Sequence, residues 1–426
     1  MSRFQVFIRL WPLVALLVTA RSATALDDIF SIGAFSLDVS GMIDGRMIVS
    51  GKTPSWQDGS LGKVRYGGTT GGERRYLARA EGALVIEPKF GFDWSGRIVL
   101  SANDQQRMAI DLSEAFLQYK PAPAEAVGFK LKAGAFFPPI SLENTGLAWT
   151  SPYTITSSAI NSWVGEELRT IGSEAGFFHR GEDLEIGVTG AVFMANDPAG
   201  ALLAWRGWTL NDRETGFFDR VPLAKLRITR RNGRMFRQAP SEKPFHEVDD
   251  RAGYYTSLTM DHADYGKFTA LWYNTRAGER KVVNGQWAWR TKFWNLGYQT
   301  TLPGEVDLIT QYMTGKTSAI SFPAPTVAIV NVRYWSAFAL ASKEWDRNRL
   351  SLRAEHFEAS DRDNSADNNN ENGMAVTLAY VYRPAANQRL TVELLHVNSR
   401  RPERAFLGLA VRARENQAQA SYRFFF

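Results

Sequence analysis

Residues 414–426 read RENQAQASYRFFF, and their alternation decides the fold. Ala418, Ala420, Tyr422, Phe424 and Phe426 share one parity, while Gln417, Gln419, Ser421 and Arg423 share the other. A period of two is the side-chain period of a β-strand, so this stretch is a strand with one apolar and one polar face. Consecutive phenylalanines at a water-exposed end would be a liability. The strand is therefore expected to face lipid on one side and an aqueous interior on the other, as in a closed membrane barrel. Tyr422, Phe424 and Phe426, together on the apolar face, form the expected membrane assembly signal, to be read by the barrel-assembly machinery.

The same pattern recurs upstream. Leu37, Val39, Ile43, Met47 and Val49 oppose Asp38, Ser40, Asp44 and Arg46; Leu350, Leu352 and Ala354 oppose Ser351, Arg353 and Glu355. Strands are predicted at 35–49, 77–87, 91–100, 111–120, 128–136, 169–178, 183–193, 253–260, 267–274, 287–300, 306–315, 333–342, 349–358, 373–383, 389–397 and 415–426. The connections alternate short and long, the habit of barrels with short periplasmic turns and long extracellular loops. The fold class is thus all-β: an antiparallel transmembrane β-barrel of sixteen strands. Eighteen is the alternative, because Pro222–Thr229 alternates acceptably within 194–252. The segment 333–342 has no clean face, and Arg290 and Lys292 share parity with Leu296 and Tyr298, which places two cations near the outer interface or demands a bulge.

The opening, MSRFQVFIRLWPLVALLVTARSATALDD, has Arg3 and Arg9, an apolar run from Leu10 to Ala20, and Ala23-Thr24-Ala25, the features of a signal peptide cut after residue 25. The domain reading is a signal peptide over 1–25 and an outer-membrane β-barrel over 26–426 of a Gram-negative envelope. Beyond the leader no run of 18 apolar residues occurs, although aromatics make up 12% of the chain, which argues for crossing by strands rather than helices. The absence of cysteine excludes a disulfide scaffold and thiol chemistry. Without the leader's three arginines, 47 basic and 44 acidic residues leave a net charge of +3, too small to mark a nucleic-acid partner.

Within this frame one loop stands out. Residues 137–168 hold Phe137, Pro138, Pro139, Ile140, Trp149, Tyr153, Ile155, Ile160 and Trp163, far too apolar for a free loop. It is expected to fold inward against the barrel wall and narrow the pore, with a loop capping the mouth or packing on a neighbouring subunit as the alternative. Lys130 and Lys132, opposite in parity to Phe129, Leu131 and Ala133, point into the lumen just before it. Glu143, Glu166 and Glu167 of the loop would face them across the pore. Arg353, Glu355, Arg389, Glu393 and Arg423 share lumen parity on later strands. These ten are the candidate pore-lining and selectivity residues. A basic run from Arg220 to Lys243 would draw anionic solutes to the mouth or pair with lipopolysaccharide phosphates.

No cofactor, metal or catalytic residue is expected. The loop SDRDNSADNNNENG (360–373) lacks the glycine and the closing glutamate of a calcium loop. The five histidines form no ligand pair at helical spacing and join no nucleophile motif.

The segments LKAGAFFPPISLENTGLAWTSPYTITSSAINSWVGEELRTIG (131–172), GWTLNDRETGFFDRVPL (207–223) and SYRFFF (421–426) resemble the phosphate-selective porin O and P family, in its general-porin branch. The resemblance implies a sixteen-stranded channel, usually a homotrimer, with an inward-folded third loop. The family's phosphate-site arginine ladder and lysine cluster have no residue-by-residue match here. The expected function is an outer-membrane porin: a water-filled channel for passive diffusion of small hydrophilic solutes and ions, including anions such as phosphate. Outer-membrane lipid and lipopolysaccharide are its surroundings. The alternatives are a non-conducting structural or adhesin barrel and, further off, a barrel-embedded hydrolase.

Overall fold

Sixteen strands form the barrel wall: β1 (Phe35–Val49), β2 (Tyr76–Phe90), β3 (Trp94–Asn103), β4 (Ile110–Tyr119), β5 (Val127–Phe136), β6 (Thr170–Arg180), β7 (Leu184–Met194), β8 (Gly253–His262), β9 (Gly266–Asn274), β10 (Lys292–Leu302), β11 (Val306–Ala319), β12 (Val330–Trp345), β13 (Asn348–Asp361), β14 (Glu371–Tyr382), β15 (Gln388–Arg400) and β16 (Arg412–Phe425). The structure is a computed structural model describing residues 31, 32, 34–123, 125–320, 329–363, 365 and 367–426; the leader read at 1–25 lies outside the described residues. Each strand pairs antiparallel with the next, and β16 returns to β1, with Met42 opposite Phe425 and Val49 opposite Ala418. Closure leaves no unpaired sheet edge, the condition for a sheet to sit in hydrocarbon. One rim carries turns of two to seven residues, such as 346–347 and 120–126; the other carries the long loops 50–75, 137–169, 195–252 and 275–291.

Every predicted strand is present, and the exceptions lie at the edges. The strand predicted from 287 begins at Lys292, because Gln286–Trp287 instead pairs with Val282–Val283 in a small hairpin above the rim. The eighteen-strand alternative is overturned: Val221–Pro222 pairs only with Ser241–Glu242, and the alternation of 222–229 serves to bury Leu223, Leu226 and Ile228 in an interior cluster. The missing polar face of β12 has a physical reason. Its inward Tyr334, Phe338 and Leu340 are buried against loops, while Trp335, Ala337 and Ala339 face outward, so both faces are apolar.

That inward apolar surface corrects one expectation. The outward face is greasy as predicted, with Met47, Phe177 and Val192 exposed at 73%, 62% and 58%. The lumen, however, is not water-lined throughout. Wall residues Phe293, Met313, Tyr334, Phe338, Leu340, Phe357 and Leu395 join Ile160, Trp163, Leu203 and Trp208 from the loops in one buried cluster. The Trp163 ring lies edge-on to Trp208, Phe293 and Tyr334 at 6.1, 5.3 and 5.6 Å. A second cluster around Trp56, Trp205 and Trp289 continues it toward the long-loop rim. Burying a side chain of this size is worth about 1.5–3 kcal/mol, so the loops are held inside by the same force that builds a soluble core.

Candidate channel constriction

The loop after β5 enters the barrel and lies against the β11, β13 and β15 wall. A short helix, α1 (Ala159–Glu167), forms within it; Ser158 caps its start by accepting the Asn161 amide. Glu355 of β13 accepts the Ala159 amide at 2.7 Å, an acid at the positive end of the helix. Glu143 accepts from the Ser158 amide at 2.7 Å and from the Asn161 side chain at 2.8 Å. Glu393 of β15 takes the Ile155 and Thr156 amides at 2.6 and 3.0 Å. Arg353 binds Glu143 at 3.1 Å, Glu355 at 2.9 Å and the Thr156 carbonyl at 2.9 Å. Gln311 of β11 donates to the Ile140 carbonyl at 2.8 Å. Glu143 and Arg353 are both fully buried at 0% exposure, so these charges fasten the loop to the wall rather than facing a passage.

Glu166 and Glu167, at the far end of α1, do not meet Lys130 or Lys132. Glu166 pairs with Arg206, and Glu167 accepts the Trp163 indole N–H and, at 3.0 Å, the Leu202 amide at the start of α2 (Ala201–Trp205). Lys130 and Lys132 share Glu174 on the neighbouring strand at 3.2 and 3.5 Å, and Lys132 lies over the Phe116 and Phe136 rings at 5.0 and 4.6 Å. Arg389 sits opposite Arg423 in register, over the Phe425 ring at 5.4 Å. Loop 50–75 is fastened similarly: Glu415 accepts the Lys63 amide at 2.9 Å and the Lys63 ammonium pairs with Glu371.

Space remains on the opposite side. A cleft of about 50 Å³ separates the β1–β3 wall, with Arg46, Glu81, Ser101 and Asn103, from a loop edge made by Asn144, Trp149, Ser151 and Asp212. Arg65, Glu214 and Arg423 also line it. Its charges interlock: Arg46 pairs with Asp44 at 2.8 Å, with Glu81 at 2.9 Å and with Asp212, while Arg65 reaches Glu81 at 2.6 Å and Asp212 at 2.9 Å. Arg423 completes the set on Asp44 at 2.7 Å. Burial alone would raise the Asp212 carboxyl, but Arg46 and Arg65 together hold it down at about 2. Burial pushes Glu214 the other way, up to about 8, with Arg169 opposing the shift.

The loop edge is shaped by unusual backbone. Ala148 and Trp149 have φ of 49° and 58°, the left-handed region that side chains avoid, at a cost of roughly 1–3 kcal/mol each. Two contacts hold the elbow: the Trp149 ring stacks on Phe137 at 4.2 Å, and Asn144 donates to the Trp149 carbonyl at 2.9 Å. Toward the short-turn rim the inward side chains form partly exposed ion pairs, Lys89 with Asp38 at 2.5 Å and Arg97 with Glu87 at 2.6 Å.

Of the ten predicted pore residues, Arg423 lines the cleft; the structure distributes the others between loop anchors and wall positions. Arg46 and Glu81 carried a readable signal, lumen parity on well-formed strands. Arg65 and Asp212 come from aperiodic loops and carried none. The basic run lies on the 195–252 loop, where Arg227 and Arg230 stack on Phe406 at 4.4 and 4.5 Å. Among the described residues the carboxylates nearest to a ligand set are Asp197, Glu247 and Asp249, and Asp197 already accepts the Val248 and Asp249 amides at 2.7 and 3.1 Å.

No family model matches the chain, and no curated protein matches it in sequence. In fold it is similar to DcaP, an outer membrane channel of Acinetobacter baumannii, at 10% identity and a TM-score of 0.53 over 93% of this chain and 99% of that one. It is also similar to an anion-selective porin from Comamonas acidovorans, at 11% identity and 0.51 over 92% and 100%. A loop-deletion mutant of OmpT, an outer membrane protein of Vibrio cholerae, matches at 8% identity and 0.51 over 92% and 100%. What these similarities establish is a shared architecture: the chain has the fold of an outer-membrane porin barrel.

Proposed function

We propose that the protein is a narrow outer-membrane channel through which small hydrophilic solutes diffuse passively, and that the constriction is the cleft between the Trp149 elbow and β1–β3. The observation that carries this reading is the lining of that cleft: Arg46, Arg65 and Arg423 on one hand and Glu81 and Asp212 on the other, with Asp44 pairing Arg46 and Arg423 behind them, in a membrane-spanning barrel otherwise packed on its far side. Fixed charges of both signs across a narrow gap set up a transverse field that orients dipolar solutes. Free space of about 50 Å³ holds only a few waters, so conductance should be far below that of an open sixteen-stranded lumen.

An anion preference, phosphate included, belongs to the same proposal. It would arise from Arg46, Arg65 and Arg423 of the cleft and from Lys130 and Lys132, which share the acid Glu174. Single-channel recording in planar bilayers with a salt gradient is the test. Small discrete steps are expected, with a reversal potential that moves toward cation selectivity in Arg65→Glu. A complete absence of steps would favour the second reading, a non-conducting structural barrel, which the packed half of the lumen supports.

We also propose a homotrimer seated on the outward face of β1 and β2, where Gly45, Ala78, Ala80 and Gly82 leave the wall bare enough for close approach of another copy. Mass photometry of the detergent-folded protein should give three times the monomer mass, and a bulky Gly45→Trp should lower it. Tyr422, Phe424 and Phe426 remain the proposed assembly signal; deleting Phe426 should sharply reduce folded barrel in the outer membrane.

A further inference from the structure

On the outer surface, away from the lumen, the strands β8–β12 carry a row of polar residues near the long-loop rim, cationic on β10–β12. Tyr254, Asn274, Lys292, Lys316 and Arg333 occupy directly opposed outward positions on these five adjacent strands. Just above them, Arg251, Arg276 and Arg290 join Tyr254, Asn274 and Lys292 around an open groove of about 430 Å³. Lys292, Lys316 and Arg333 have no acidic partner among the described residues, and the connection 320–329 contains no acid in its sequence. Arg290 and Arg251 have only loose ones, Glu279 at 3.5 Å and Asp249 at 3.8 Å.

The level of this row in the membrane can be read from the residues below it. One outward position nearer the membrane centre stand Trp272, Trp294 and Trp335, with Trp272 and Trp294 ring centroids 5.1 Å apart and Trp335 6.2 Å from Tyr312. Tryptophan and tyrosine collect where acyl chains give way to headgroups. The cations therefore lie at the headgroup level of the outer leaflet, on the side of the long loops.

Like charges set directly opposite on neighbouring strands repel one another. Lys292 with Lys316 is one such pair and Lys316 with Arg333 another, an arrangement that an anion lying across them would relieve. Arginine forks match phosphate oxygens two at a time. Five strands spaced by ~4.8 Å make a row about 20 Å long, enough for two phosphates on one headgroup. We propose that this row and groove bind the bis-phosphorylated glycolipid headgroup of the outer leaflet, with Lys292, Lys316 and Arg333 on one phosphate and Arg251, Arg276 and Arg290 on the other. The site is independent of conduction through the lumen.

Native mass spectrometry of the folded full chain, offered bis-phosphorylated lipid A, its monophosphorylated form, phosphatidylglycerol or inorganic phosphate, tests the assignment. Lys292→Gln/Lys316→Gln/Arg333→Gln should lower retained bis-phosphorylated lipid about tenfold, and Lys292→Arg/Lys316→Arg should preserve it. Arg230→Gln/Arg231→Gln/Arg237→Gln, on the basic 195–252 loop, should leave retention unchanged. Unheated gel mobility checks that each barrel is folded, and Arg333→Gln alone, with a smaller loss, replaces the triple variant if that one does not fold. Undiminished retention by the rim variants, loss from the loop variant instead, or equal retention of phosphatidylglycerol or free phosphate would overturn the proposal.

Discussion

The two inner walls of this barrel meet the same loop in opposite ways. Along β10–β15 most inward side chains are apolar or ion-paired, and loop 137–169 packs on them: Trp163 on Phe293 and Tyr334, while Arg353 draws Glu143 and Glu355 together. Along β1–β3 the inward Arg46, Glu81, Ser101 and Asn103 face a cleft, and the loop offers them only its elbow. The loop is thus fastened along one wall and touches the other only where Leu147 and Ala148 pack on Met42, Ala83, Val85 and Val99 beside the cleft. The position of the cleft, and of the passage proposed there, follows from where the loop adheres rather than from the shape of the cylinder.

The largest disturbance of this asymmetry is to remove the loop. Deleting 141–163 should strip the β10–β15 wall of its cover and raise single-channel conductance several-fold; an unchanged step size would remove the loop from any role in the constriction. Arg353→Met is the next most severe. It leaves Glu143 and Glu355 buried at 0% and 5% exposure without their counter-charge, a defect of about 3–5 kcal/mol. The denaturant midpoint should fall and conductance should become noisy as the loop detaches. A midpoint within error of the parent would show that the buried network is not what fastens the loop.

Smaller changes act on the open wall. Trp149→Gly removes the ring stacked on Phe137 and relieves a left-handed backbone position, so the cleft should widen with little loss of stability. A conductance rise of about twofold with an unchanged unfolding midpoint is expected; a drop in midpoint as large as that of Arg353→Met would erase the distinction between the walls. The mildest effect concerns Glu214. Burial raises its pKa from 4.5 to about 8; Glu114, Asp212 and Glu81 add to the shift and Arg169 opposes it. A carboxyl whose folded pKa is raised adds no penalty below its unfolded value, and becomes progressively unfavourable as pH climbs from about 4.5 to about 8. Loop docking should therefore loosen over that window and conductance rise, and Glu214→Gln should flatten the profile. A wild-type conductance constant from pH 5 to pH 8 would contradict this.

The comparison also marks how far the sequence was legible. The lipid-facing side of the wall was read almost residue by residue, because water, lipid and pleat impose one period on every strand; the parity that set Lys292 with Leu296 and Tyr298 is kept, with Lys292 outward on β10, while Arg290 lies before the strand. Lumen parity was equally readable for Arg353, Glu355 and Glu393. Their partners were not. What covers an inward residue depends on the path of a distant loop, so Glu143 and Arg353, 210 positions apart, meet through a path that no local pattern encodes. The apolar inner face of β12 erased its alternation for the same reason. Glu166 and Glu167 gave the sequence no hint that they would turn toward Arg206 and Leu202 rather than toward the pore.

The buried interior has a calorimetric consequence. When the barrel unfolds in detergent, the outward Met47, Phe177 and Val192 pass from one apolar environment to another, and their hydration hardly changes. The cluster around Trp163, Trp208, Phe338 and Leu395 is different: water reaches it only on unfolding. Newly wetted apolar surface raises the heat capacity by about 0.45 cal/K/mol for each Å². The heat-capacity increment of this barrel is therefore expected to report on the core inside the cylinder and to stay nearly blind to the surface outside it. A version lacking 141–163 should lose much of that increment while keeping its sixteen strands.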